Sequence, residues 1–312
     1  MSQKNKIFKI LAPILVFFFI IIGIKFYSDS PINNNLHFNP DVAGAKEYNF
    51  GPQNAFNIAK EASSSGLLDQ LTAQSLYVYD LTNKKSILAK NPNTKMPTAS
   101  TLKILTGAVT LDNAALESIF TVSEKAANVG EDSMLLSANE KLTTEELLYG
   151  LMLPSGNDAA ITLAENIAGS EQNFVDLMNK KAQYIGMNNT YFVNSSGLEG
   201  DGEDYSTARD MTQLAAYAWT NYPVLQTISG TYNHIIPAND FHKAFDLYNE
   251  TNLLTTYPGV KGFKPGYTPK AGYCLITVAD INGHEIIITM LNSQNRREEM
   301  RQILDYLHTI IN

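Results

Sequence analysis

The stretch GYCLITVADINGHEIIITMLN, residues 272–292, sets Asn282-Gly283 between two apolar runs. Asn-Gly suits the two-residue turn in which both central residues take positive φ, and that turn matches the twist of antiparallel strands. The chain is thereby committed to an antiparallel hairpin near its end. A cover for it follows directly: in NRREEMRQILDYLHTII, Met300, Ile303, Leu304, Leu307, Ile310 and Ile311 make one apolar face of a helix. Further strands come from the other end of the globule, where QSLYVYDLTNKKSILAKN reads as two strands about a turn at Thr82-Asn83-Lys84. A helix is expected to begin near Ser100. Between the two strand regions, roughly residues 114–230 read as mostly helical. KLTTEELLYGLML offers Thr143 and Glu146 as a capping box, and Asp158 to Ala168 and Ala208 to Trp219 carry helical periods. The pattern predicts an α/β (α+β) fold, an antiparallel sheet built from both ends of the globule with a helical insertion.

The chain has 312 residues, 44% of them hydrophobic, enough for a full-sized core. Its start places Lys4, Lys6 and Lys9 before an uncharged apolar run from Ile10 to Ile24, followed by Lys25. No small-residue cleavage site follows, so residues 1–27 read as a membrane anchor in preference to a cleaved signal segment, with the remainder on the extracytoplasmic side of the cell membrane. Residues 28–53 lack apolar periodicity and suit a linker, which leaves 54–312 as the globular domain. Without the four lysines of residues 1–27, 19 basic face 31 acidic side chains, and nucleic acid is excluded as a partner. Cys274 is the single cysteine, so no intramolecular disulfide forms; it is expected in a buried strand.

Three short patterns could carry chemistry. Ser100 and Lys103 form the single Ser-x-x-Lys; on a helix they share a face one turn apart, so a desolvated Lys103 could serve as the base that a serine nucleophile needs. An N-capping serine and an exposed lysine would give the same pattern. Ser155-Gly156-Asn157 sits between two helices and could aim two polar groups at one ligand, or merely turn the chain; Ser137-Ala138-Asn139 and Ser293-Gln294-Asn295 share its form. Lys264-Pro265-Gly266 opens a strand and could present a cation to a carboxylate, or simply protect a sheet edge; Lys270-Ala271-Gly272 resembles it. The five histidines are scattered without metal-ligand spacing, and no Gly-x-Ser-x-Gly elbow or phosphate loop is present, so neither metal nor cofactor is expected.

In order and context, the three patterns resemble the serine D-Ala-D-Ala carboxypeptidases, the low-molecular-mass penicillin-binding proteins of the β-lactamase/DD-peptidase-like fold. PTASTLKILTGAVTL, LTTEELLYGLMLPSGNDAAITLAE, FVNSSGLEG, YSTARDMTQLA and GYTPKAGYCLIT carry the likeness over roughly residues 54–312, and these surroundings select Ser155-Gly156-Asn157 and Lys264 over their look-alikes. The resemblance implies a five-stranded antiparallel sheet flanked by helices, with the helical lobe closing one side of a cleft. The β-rich C-terminal domain carried by many relatives is expected to be lacking. The resemblance implies Ser100 as the nucleophile acylated by the peptidoglycan stem peptide, with Lys103 as proton acceptor. Ser155 would donate to the departing D-Ala, and Asn157 would hold Lys103 and a substrate amide. Lys264 would attract the terminal carboxylate, Gly266 would leave room for the substrate backbone, and Tyr267 N–H would join Ser100 N–H around the oxyanion. β-Lactams would act as inhibitors.

Pro265 departs from this pattern, standing where the family has threonine, and Thr268 is the candidate to supply the missing hydroxyl. A D,D-endopeptidase acting on cross-links would use the same residues, and a catalytically silent wall-binding protein is the non-enzymatic alternative. A class A β-lactamase is disfavoured because no Glu-x-x-x-Asn element follows the second motif.

Overall fold

The Asn282-Gly283 turn forms as its residues dictate: φ is 53° at Asn282 and 84° at Gly283, and Ile281 pairs with His284 across it. The structure, a computed structural model, describes residues 66–200, 202–251 and 253–311. The expected anchor, the linker and the first residues of the globular domain lie outside the described residues. Among the described residues no helix is long and apolar enough to cross a membrane.

In chain order the strands are β1 (Ser75–Asp80), β2 (Lys85–Lys90), β3 (Ile119–Thr121), β4 (Lys141–Thr143), β5 (Asn233–Ile236), β6 (Phe245–Tyr248), β7 (Val260–Thr268), β8 (Gly272–Ile281) and β9 (His284–Ser293). The helices are α1 (Leu67–Gln70), α2 (Lys103–Asn113), α3 (Glu124–Ala127), α4 (Thr144–Met152), α5 (Asn157–Ala168), α6 (Glu171–Tyr184), α7 (Ala208–Asn221), α8 (Pro223–Ser229) and α9 (Arg296–Ile310). β2, β1, β9, β8 and β7 form one antiparallel sheet in that order, so strands from the two ends of the domain meet where β1 pairs with β9. This is the α/β fold with a five-stranded antiparallel sheet that the sequence predicts. It leaves β7 as an edge strand, a place where Pro265 is tolerated because a missing ladder donor costs least there.

Alternation along the strands gives the sheet two buried faces. Leu76 and Val78 of β1, Leu275 and Ala279 of β8, and Ile286, Ile288 and Met290 of β9 pack against Met300, Ile303, Leu304 and Leu307 of α9. Each of the valine, leucine, isoleucine and methionine side chains stabilises the fold by about 1.5–3 kcal/mol when fully buried. Ile310, expected on this face, is instead exposed: α9 ends at it, and the extended Ile311 is the residue that packs inward. The opposite face is covered by α7, whose Thr212 hydroxyl donates to Thr289 Oγ1 of β9 at 2.7 Å. Cys274 is fully buried on β8, and burial pushes its thiol up to about 11.

In the helical lobe the capping box forms, with Glu146 N donating to Thr143 Oγ1 at 3.1 Å and Thr143 N to Glu146 Oε2 at 2.8 Å. Helix α2 is pinned to α6 by the buried Asp112–Lys181 ion pair at 2.9 Å, and Lys181 also donates to the Tyr217 hydroxyl of α7 at 2.8 Å. Two small antiparallel pairs also form: β3–β4 interrupts what the sequence reads as mostly helical, and β5–β6 follows it. Strands of three or four residues are too short to show a period of two.

Candidate active site

The residues just ahead of α2 form a 3₁₀ turn, Ala99–Leu102, that abuts the edge strand β7. Ser100 makes no capping bond, so its hydroxyl is not occupied with starting the helix. The backbone around it is compressed: Ala99 takes φ 48°, a left-handed conformation that a non-glycine residue adopts at a cost of about 1–3 kcal/mol. Two glycines permit the packing. A Cβ on Gly266 of β7 would lie 2.8 Å from Ser100 N, and one on Gly197 would lie 2.4 Å from Ala99 O. Gly266 therefore admits the Ser100 turn itself, a close approach that the sequence alone does not show.

One turn on from Ser100, Lys103 is fully buried and its Nζ donates to Ser100 Oγ at 2.7 Å and to Asn157 Oδ1 at 2.8 Å, reaching Ser155 Oγ at 3.4 Å. Burial first, and then the neighbouring Lys264 ammonium, hold its pKa well below the usual lysine value. An amine tuned in this way can exist neutral, with a lone pair facing a serine hydroxyl, which is the state a general base requires.

Ser155 and Asn157 enter from the α4–α5 connection. Ser155 is buried with φ 63°, a second strained residue, and Asn157 is the first residue of α5. Asn157 is fixed from three sides: its N–H donates to Asp132 O at 2.8 Å, its Nδ2 to Gly130 O at 3.2 Å, and its Oδ1 receives Lys103. The loop supplying those carbonyls is tied down by the buried Asp158 carboxylate. Its oxygens accept from Ser133 Oγ at 2.5 Å, Leu136 N at 2.9 Å and Met134 N at 3.1 Å. Sequence reasoning did not single out Asp158, Asp132 or Gly197; the first follows Asn157 directly, but its role depends on a loop some 25 residues earlier, visible only in three dimensions.

Lys264 is completely buried, and its Nζ has no hydrogen-bond partner among the described residues. Burial pushes its pKa down to about 8, against the opposing pull of Glu250 and Asp132. Glu250 is held above the usual carboxylate range by burial. Arg296, at the start of α9, donates to Gly266 O at 2.9 Å and lies over the Tyr273 ring. Glu250 and Arg296 were also not anticipated, since neither lies in a motif. Tyr267, next to Gly266, is half-exposed and packs on Tyr273 with ring centroids 4.6 Å apart. Thr268 is buried, and its hydroxyl accepts from Ala271 N at 3.0 Å and engages Glu199, so it supports the β7–β8 turn.

Ser100, Lys103, Ser155 and Asn157 thus form one hydrogen-bonded cluster at the junction of sheet and helical lobe, with Lys264 and Gly266 bordering it on β7. Ser137, Ser293 and Lys270 lie in other bonds: Ser137 Oγ accepts from the exposed Lys243, Ser293 donates to Glu299, and Lys270 pairs with Glu203.

The sequence profile of the D-alanyl-D-alanine carboxypeptidase family, peptidase S11, matches residues 59–295. The D-alanyl-D-alanine carboxypeptidase DacF of Bacillus subtilis is 35% identical over 255 residues, covering 80% of this chain and 62% of its own length. The D-alanyl-D-alanine carboxypeptidase of Streptomyces sp. strain K15 is 33% identical, covering 71% of this chain and 82% of its own length. The crystal structure of the Streptomyces K15 DD-transpeptidase superposes with a TM-score of 0.72 at 29% identity, over 77% of this chain and 98% of that one.

Proposed function

Since the chain belongs to the D-alanyl-D-alanine carboxypeptidase family, we propose that it is a serine carboxypeptidase that removes the terminal D-Ala from peptidoglycan stem peptides through an acyl-enzyme on Ser100. The observation that carries this reading is the 2.7 Å contact between Ser100 Oγ and the buried, depressed-pKa amine of Lys103. When Lys103 is neutral, its lone pair accepts the Ser100 O–H, while its two N–H groups serve Asn157 Oδ1 and Ser155 Oγ. Three partners then use the full capacity of the amine.

Ser100 Oγ attacks the carbonyl of the penultimate D-Ala as its proton passes to Lys103. Backbone N–H groups of Ser100 and Tyr267 hold the developing oxyanion, an interaction for which a single donor is worth about 3–4 kcal/mol. The tetrahedral centre collapses to the acyl-ester and breaks the peptide bond. The departing amine takes its proton from Ser155, which is replenished from Lys103 across 3.4 Å. Asn157 orients Lys103 and the substrate amide. Water then attacks the ester, and the shortened peptide leaves. Lys264 and Arg296 supply the positive field for the terminal carboxylate. Pro265 offers that carboxylate neither hydroxyl nor N–H, so one charged hydrogen bond worth about 1.5–3 kcal/mol is forgone. β-Lactams acylate Ser100 by the same attack, and residues 1–27 hold the domain at the outer face of the membrane.

The assay is release of D-Ala from a pentapeptide ending in D-Ala-D-Ala. Wild type releases it and Ser100→Ala does not; equal release by both would end the proposal.

A further inference from the structure

Glu250 is bonded into both halves of the site. Its own N–H donates to Leu153 O at 3.2 Å, two residues before Ser155. The hydroxyl of the next residue, Thr251, donates to Phe263 O at 3.3 Å, one residue before Lys264. The preceding Asn249 is buried; its Nδ2 donates to Ser229 O at 2.8 Å and Thr231 O at 2.9 Å, and its Oδ1 accepts from Thr251 N at 2.8 Å. These bonds clamp residues 249–251 between the helical lobe and the edge strand, and of the three only Glu250 is exposed. Its carboxylate serves no bond in the fold: it has neither a hydrogen bond nor an ion pair among the described residues.

The charge it faces is Lys264. That ammonium is buried and makes no hydrogen bond among the described residues, so it is held only through space. The groups around it come from each element packed on β7. Across the ladder its partner is the apolar Ile276 of β8, and α8 carries no titratable side chain. Lys103, beyond the 3₁₀ turn, and Arg296 of α9 add like charge. The opposing charges are Glu250 and, less strongly, Asp132 of the loop that holds Asn157. Lys264 and Glu250 are each the other's strongest attraction.

We propose that Glu250 is a positioning residue of the acylation reaction, acting through Lys264 to keep that ammonium charged so that the free enzyme captures the carboxylate of its substrate. The inference rests on the reaction assigned to Ser100. Capture depends heavily on charge here, because Pro265 gives the carboxylate no hydrogen bond, and a Lys264 that titrates near pH 8 has little reserve of charge above neutrality. Once bound, the substrate carboxylate is itself the counter-ion of Lys264. Glu250 therefore matters to the free enzyme, whose ionisations appear in the second-order rate constant, and not to the bound complex.

The test is the pH profile of the second-order rate of acylation by labelled penicillin, with the rate at saturating penicillin measured alongside. Glu250→Gln removes the charge at an exposed position and keeps the shape. Its alkaline limb in the second-order profile is expected at least about half a pH unit below that of wild type, while the limb at saturation stays in place. The acid limb, set by Lys103, should move the same way, since Glu250 attracts that amine too. Glu250→Asp should return the alkaline limb towards wild type, whereas a purely structural brace would lower the rate at every pH and leave the limb where it was. Labelling that reaches one adduct per chain in both variants shows that the fold is kept. An alkaline limb unmoved in Glu250→Gln, an equal shift at saturation, or no recovery in Glu250→Asp overturns the inference and leaves the Ser100 reading standing; a wild type that takes no label overturns both.

Discussion

Replacing Lys264 by methionine should make the protein more stable and less active. Lys264 is completely buried without a hydrogen-bond partner among the described residues, and its pKa falls from the ordinary 10.5 to about 8. That fall corresponds to about 3 kcal/mol of penalty on the charged form, with the attraction of Glu250 and Asp132 already included. Below pH 8 the ammonium is protonated in both folded and unfolded chains and the penalty is complete. Between pH 8 and 10.5 the unfolded chain holds a proton that the folded chain has lost, so stability rises with pH; above 10.5 the penalty is gone. Methionine fills a similar volume without charge. Lys264→Met should therefore gain about 3 kcal/mol at pH 7, or roughly 6–12 °C in Tm for a domain of this size, and little at pH 10.5. Thermal melts at both pH values test this, alongside a large fall in penicillin acylation. A lower Tm at pH 7, or a gain that persists unchanged at pH 10.5, would refute the reasoning.

Lys103 and Lys264 together should set the pH profile of acylation. The rate should rise as Lys103 becomes neutral and fall near pH 8 as Lys264 loses its charge, and Lys264→Arg should remove the alkaline limb; a limb that survives unchanged in that variant rules out Lys264 as its source. Pro265→Thr restores a hydroxyl at the carboxylate position and should lower KM for a D-Ala-D-Ala peptide by roughly ten- to a hundredfold, from about 1.5–3 kcal/mol; steady-state kinetics with an unaltered KM would show that the hydroxyl is not missed. Gly266→Ala sets a Cβ 2.8 Å from Ser100 N and should depress acylation strongly while Ser155→Gly, which relieves a φ of 63°, leaves that backbone contact untouched; penicillin labelling of Gly266→Ala at the wild-type rate would contradict the contact.

Elements with strong local chemistry were legible in the sequence. Asn282-Gly283 dictated its turn, Thr143 and Glu146 their capping box, and the spacing of Met300, Ile303, Leu304 and Leu307 the covering helix. Ser100 and Lys103 were legible as a pair because a helical turn brings them together within one segment. Asn157 and the choice of Lys264 over Lys270 were legible through the family resemblance of their surroundings, and the fold adds the contact itself, Lys103 Nζ to Asn157 Oδ1 at 2.8 Å. What stayed hidden depends on approach between distant segments: Gly197 and Gly266 against the Ser100 turn, Asp158 holding the 132–136 loop, Arg296 reaching Gly266 O. The contacts of Gly266 with the Ser100 turn and of the Thr268 hydroxyl with Ala271 N were hidden for that reason.

The central claim is that Ser100, activated by Lys103, is the residue that becomes acylated. Incubation with labelled penicillin, followed by mapping of the modified peptide, tests it most directly. The account predicts one covalent adduct on Ser100 in wild type, none in Ser100→Ala, and a severely slowed adduct in Lys103→Ala. Absence of labelling in wild type, or labelling that persists in Ser100→Ala, would contradict it.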